Sequence, residues 1–203
     1  MDIEFWYDFS SPWTYLASTQ LESVVQRAGG DLTWRPMLLG AVFKQVGTPD
    51  VPALAMPEPK RNYYSRELDL WAEHWNVPFK FTTRFPMRTV TALRLALLAG
   101  DRIATLSHAL FKALWVDDRD ISADTELADI LKAEGFDAES MLEQTQQPEA
   151  KQKLIDATSE AVERGVFGAP TFIMKHPKGD VMLWGQDRFE LVEKVLGGWR
   201  PRG

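Results

Sequence analysis

The chain has 203 residues, 45% of them hydrophobic and 26% charged, which bounds a folded globular protein of one domain, or of one domain carrying a large insertion. It holds no cysteine, which excludes disulfides, a cysteine nucleophile and a thiolate metal site. A net charge of −6 with scattered basic residues argues against a nucleic-acid surface, and no apolar run reaches the about 18 residues that a membrane helix needs.

Residues 3–8 form a first strand, and acids at Asp2 and Glu4 stand where a secretory signal would be basic, so a cytoplasmic protein is expected. The turn Phe9 to Pro12 feeds a helix over residues 13–28, closed by Gly29 and Gly30. Residues 32–38 read as a second strand, with Pro36 pushing it toward an edge or an end. This β-α-β opening implies a parallel pair with a right-handed crossover. Residues 47–59, GTPDVPALAMPEP, read as a loop. Residues 63–75 carry Tyr64, Leu68, Trp71 and Trp75 on one helical face. Further helices fall at 89–99, 103–116, 124–133, 138–144 and 148–164, the last with Pro148 at its start and Gly165 at its stop. Residues 171–175 and 181–184 form a hairpin around the turn 177–180, and 188–196 a closing helix.

The order is therefore β-α-β, a helical block, then β-β-α. The expected class is α/β: a thioredoxin-like four-stranded mixed sheet with a large all-helical insertion. Residues 1–46 and 160–203 would form the discontinuous thioredoxin-like domain, and residues 47–159 the helical insertion.

Four stretches carry candidate chemistry. In DFSSPWTYLA, Ser10, Ser11 and Pro12 stand where a helix begins, at the carboxyl end of a strand. A serine cap followed by proline explains the pattern plainly. Ligands, however, bind at that end of open α/β sheets, and a hydroxyl beside a helix N-terminus favours an anion, a thiolate included. No G-x-S-x-G elbow and no paired histidine supports an attacking serine. In RGVFGAPTF, Pro170 opens a strand; only about 5% of X–Pro bonds are cis, so the pattern alone assigns none. In WGQDRFELV, Asp187 reads as a helix cap or as a receiver of a ligand's amino group. In KRNYY, Lys60 and Arg61 read as solvated charges or as a carboxylate clamp. The histidines His74, His108 and His176 lie far apart, so no metal site is expected.

Together, YDFSSPWTYLA, KRNYYSREL, VFGAPTF and WGQDR resemble 2-hydroxychromene-2-carboxylate isomerases and kappa-class glutathione transferases, within the DsbA-like thioredoxin superfamily. They fall in that family's order and span nearly the whole chain. The resemblance implies glutathione as cofactor and Ser11, in Ser11-Pro12-Trp13-Thr14, as the catalytic residue that hydrogen-bonds its sulfur. It implies that Pro170 is the cis-proline exposing the backbone of Ala169 to the tripeptide, that Asp187 and Arg188 hold the γ-glutamyl end, and that Lys60 approaches the other end. Trp13, Trp75 and Trp184 are candidates for an aromatic substrate wall, and Arg88 for receiving a substrate carboxylate. Gly47 is followed by Thr48 where the family often has asparagine, which removes one expected glutathione contact.

The expected function is a glutathione-dependent cis-trans isomerase of a ring-cleavage product of aromatic degradation, acting on a small aromatic-derived substrate as a homodimer, with neither nucleic acid nor membrane as partner. The alternatives are a kappa-like transferase that conjugates glutathione to electrophiles, and a non-catalytic thioredoxin-like binding module. The missing cysteines rule out a dithiol oxidoreductase.

Overall fold

A computed structural model describes residues 1–201. Strand β1 (Asp2–Tyr7) leads into helix α1 (Pro12–Arg27), strand β2 (Asp31–Pro36) and helix α2 (Leu39–Val46). A 3-10 turn at Pro52–Ala55 precedes α3 (Glu58–His74), α4 (Val90–Leu98), α5 (Ile103–Trp115), α6 (Asp124–Ala133), α7 (Ala138–Thr145) and α8 (Pro148–Glu163). The chain closes through β3 (Thr171–Met174), β4 (Val181–Trp184) and α9 (Phe189–Leu196).

The sheet runs β2-β1-β3-β4. β1 and β2 are parallel, with Phe5 opposite Trp34, as the crossover through α1 requires. β3 lies antiparallel to β1, with Trp6 opposite Thr171, and β4 antiparallel to β3, with Thr171 opposite Trp184. The carboxyl end of β1, the start of β3 and the end of β4 therefore meet at one end of the sheet.

β1 is buried on both faces, which explains its continuous apolar reading. On one face Phe5, Tyr7 and Phe172 join residues of α1, α4, α5, α6 and α9 in the main core. On the other, Trp6 and Ile173 pack with Met37, Val42, Ala161 and Val166. The Arg35 guanidinium stacks over the Trp6 ring at 4.7 Å, covering that face near the edge strand.

Two elements differ from the sequence expectation. Residues 39–46 form a helix that the pattern did not mark. α3 begins at Glu58, inside the expected proline-rich loop, because Pro57 and Pro59 sit where a helix start tolerates a missing N–H. The other helices and strands match to within a residue or two at their ends.

Candidate active site

The site is built on the turn between β1 and α1. Ser11 is the N-cap of α1, with extended backbone angles and Pro12 as the first helical residue. Its Oγ accepts from the Thr14 N–H at 3.3 Å, so the capping role is real. The same hydroxyl donates to the Ala169 carbonyl at 3.3 Å. Both bonds are long and Ser11 is 6% exposed, so a near-dry hydroxyl is loosely held between a helix start and a peptide from the far end of the chain.

That peptide is fixed from both sides. Arg164, at the end of α8, pairs with the buried Glu4 of β1 and with Asp180 in the β3–β4 turn, which ties the preceding loop to the sheet. The Ala169–Pro170 bond is cis, and the Pro170 carbonyl accepts from the Gly185 N–H at 3.0 Å. Among the described residues the Ala169 N–H donates to nothing. Gly185 has φ +113, and a Cβ there would stand 2.9 Å from the Asp187 Oδ1. Asp187 and Arg188 follow directly, their side chains partly exposed and 3.3 Å apart. Pro170 and the Asp187–Arg188 pair are thus joined through one glycine.

The aromatic candidates separate into different settings. Trp13 is half-buried and packs edge-on against Tyr64 at 5.1 Å; burial pushes the Tyr64 hydroxyl pKa up to about 12. Tyr64 lies one helical turn beyond Lys60 on α3, so this contact brings the exposed Lys60 toward the start of α1. Trp184 is 51% exposed and packs at a tilt against Phe167 at 5.2 Å, its indole lying against Gly168, where a Cβ would meet Nε1 at 2.7 Å. Trp75 packs on Trp71 and on Phe189, behind the start of α9. Arg88 is exposed, directly before the buried Thr89. Gly47 closes α2, and the Thr48 N–H bonds back to the Phe43 carbonyl.

One residue beneath the turn was not singled out by sequence. Asp8 is 1% exposed. Its Oδ1 accepts from the Ser10 N–H at 2.9 Å and its Oδ2 from the Leu39 N–H at 2.8 Å. The hydroxyls of Thr89 and Ser10 favour its charged form as well. Burial raises its pKa against the opposing pull of these bonds. The only sequence signal is an acid ending a strand just before Ser-Ser-Pro, a pattern that also suits a solvated turn. Neighbouring Tyr7 bonds Ser107 at 2.6 Å, and burial raises its hydroxyl too.

Two surface clefts lie elsewhere: one between the end of α3 and Pro78–Phe79, the other between α1, β2 and the start of α5. Neither is lined by Ser11, Ala169 or Asp187. The candidate site therefore rests on the chemistry at the carboxyl end of β1, not on cavity shape.

A four-stranded sheet in this order, with a helix starting over a cis-proline loop, defines a thioredoxin-like protein. The chain belongs to the DSBA-like thioredoxin domain family, whose model matches residues 2–197. It is 28% identical over 197 residues to a 2-hydroxychromene-2-carboxylate isomerase of Sphingobium xenophagum, covering 96% of this chain and 97% of the relative. It is 28% identical over 210 residues to human glutathione S-transferase kappa 1, covering 96% and 90%. A solved structure of a 2-hydroxychromene-2-carboxylate isomerase has the same fold, with a TM-score of 0.83 at 24% identity over 98% of this chain and 95% of that one.

Proposed function

We propose that this protein is a glutathione-dependent cis-trans isomerase that acts on a ring-cleavage product of aromatic degradation, as its isomerase relatives' name suggests. The observation that carries the reading is the Ser11 hydroxyl, set at the N-terminus of α1 and bonded to the Ala169 peptide beside Pro170. Glutathione fits these groups: the Ala169 N–H has no partner among the described residues and is free for an extended peptide. In this reading Ala169 and Pro170 align the tripeptide. Asp187 receives its ammonium and Arg188 the neighbouring carboxylate, while Lys60 meets the carboxylate at the other end.

When bound, glutathione would supply the thiolate for a reversible addition to a conjugated bond of the substrate. The chain's own work is to stabilise that charge. A thiol of this kind has an unperturbed pKa near ~8.5, so little of it is ionised at neutral pH. Charge-assisted hydrogen bonds are roughly twice as strong as neutral ones, so Ser11 can turn its proton from the Ala169 carbonyl to a sulfur anion. The start of α1 contributes about half a positive charge to the same spot. Trp13, Trp75 and Trp184 are assigned to the substrate wall and Arg88 to a substrate carboxylate. The reading includes a cytoplasmic homodimer.

A second reading, a kappa-like transferase, is supported by the equal identity to the human enzyme, although the alignment covers more of the isomerase (97%) than of the transferase (90%). Incubation with 2-hydroxychromene-2-carboxylate, with and without glutathione, separates them by mass spectrometry. Isomerisation leaves the substrate mass unchanged and returns free glutathione. A product heavier by one tripeptide makes the protein a transferase, and no conversion of either kind removes both readings.

A further inference from the structure

Asp8 is a buried carboxyl that no step above uses. Burying such a group costs several kcal/mol unless its oxygens are satisfied, so its position is strongly specified. Its donors come from two places: the Ser10 backbone N–H in the turn and the Leu39 N–H that opens α2. α2 and α4 have no side-chain cap of their own at Leu38 and Thr89. Asp8 fills that role for α2 by taking one of the N–H groups its first turn leaves open. A single side chain thus binds the turn carrying Ser11 to the start of α2.

We propose that Asp8 is a positioning residue of the reaction: its carboxyl locks the Ser10–Ser11 turn against α2 and so sets where the Ser11 hydroxyl meets the glutathione sulfur. This rests on the function proposed above. Asp8 is too buried to touch substrate and acts only through the turn. Thr89, whose hydroxyl favours the charged form of the same carboxyl, works with it.

The test compares the parent protein with Asp8→Asn and Thr89→Val. Asparagine keeps the shape but turns an NH2 group toward one of the two N–H donors. Glutathione affinity is read by tryptophan fluorescence, thiolate content of the bound cofactor by ultraviolet absorbance at neutral pH, and turnover with 2-hydroxychromene-2-carboxylate. Asp8→Asn is expected to lower kcat by about tenfold to a hundredfold, the cost of misplacing a reacting group by about an ångström. Thiolate absorbance falls with it and glutathione affinity stays close to the parent's. Thr89→Val shows the same split to a smaller degree, and it carries the test if Asp8→Asn does not fold. Variants that lose only thermal stability, with the parent's kcat and thiolate absorbance, overturn the proposal; so does a fall in glutathione affinity that matches the fall in kcat. A parent that binds no glutathione instead overturns the proposed function itself.

Discussion

The Ser11 hydroxyl donates to the Ala169 carbonyl at 3.3 Å, joining the first helix of the chain to a loop 158 positions further on. The contact is weak as a stabilising bond. Its worth lies in what it places together: a hydroxyl, a helix start and a backbone N–H with no partner among the described residues, all at the carboxyl end of β1.

Ser11→Ala removes the donor while leaving the Ala169 backbone and Asp187 in place. The bound thiol should then ionise one to two pH units higher, because a charge-assisted hydrogen bond contributes ~1.5–3 kcal/mol. Turnover at neutral pH should fall accordingly, with little change in glutathione affinity. Titrating thiolate absorbance against pH checks this, and an unshifted curve takes Ser11 out of the mechanism.

Gly185 is the hinge between Pro170 and Asp187. At φ +113, with Asp187 Oδ1 2.9 Å from any added Cβ, alanine must both strain the backbone and push the carboxylate aside. Gly185→Ala should cost about 1–3 kcal/mol of stability. It should also weaken glutathione binding more than Ser11→Ala does. Calorimetric titration of both variants makes the comparison.

Trp13 and Trp184 border the proposed groove while Trp6, Trp34 and Trp115 are buried. Glutathione should change the tryptophan emission in a saturable way. Trp184→Phe should reduce the amplitude without abolishing binding. A flat titration of the parent speaks against the cofactor.

Asp8 gives a pH signature of its own. Burial raises its pKa in the folded state above the unfolded value of 3.8, so the folded protein holds this proton more tightly. Its favourable contribution is complete below the unfolded value and is lost as pH rises through the folded one. The slope is at most about 1.4 kcal/mol per pH unit. Urea melts over a pH series should show this decline in the parent, and Asp8→Asn should lack that component.

Much of the fold was legible because its elements carry clean periods. The helix faces of α3, α5 and α8 repeat every three to four residues, and β3 and β4 are short branched and aromatic runs around a turn. α2 was not legible: it buries only Leu39 and Val42, and its start is capped from Asp8, 31 positions away. The same non-local bonding hid Asp8, whose partner at 39 has no sequence link to the turn. Tryptophan count was equally mute, since Trp115 bonds the Phe9 carbonyl inside the core while Trp184 stands half in solvent. The Ser11, Pro170 and Asp187–Arg188 stretches stood out only through their joint order along the chain, because each alone also reads as a cap, a strand start or a solvated pair.

The central claim is that this chain ionises a sulfur it does not itself carry. A crystal structure with glutathione tests it most directly. The account predicts an extended tripeptide paired with the Ala169 backbone, its sulfur within about 3.5 Å of Ser11 Oγ, and its γ-glutamyl end at Asp187 and Arg188. A tripeptide bound elsewhere, or one in this groove with its sulfur turned away from Ser11, contradicts it.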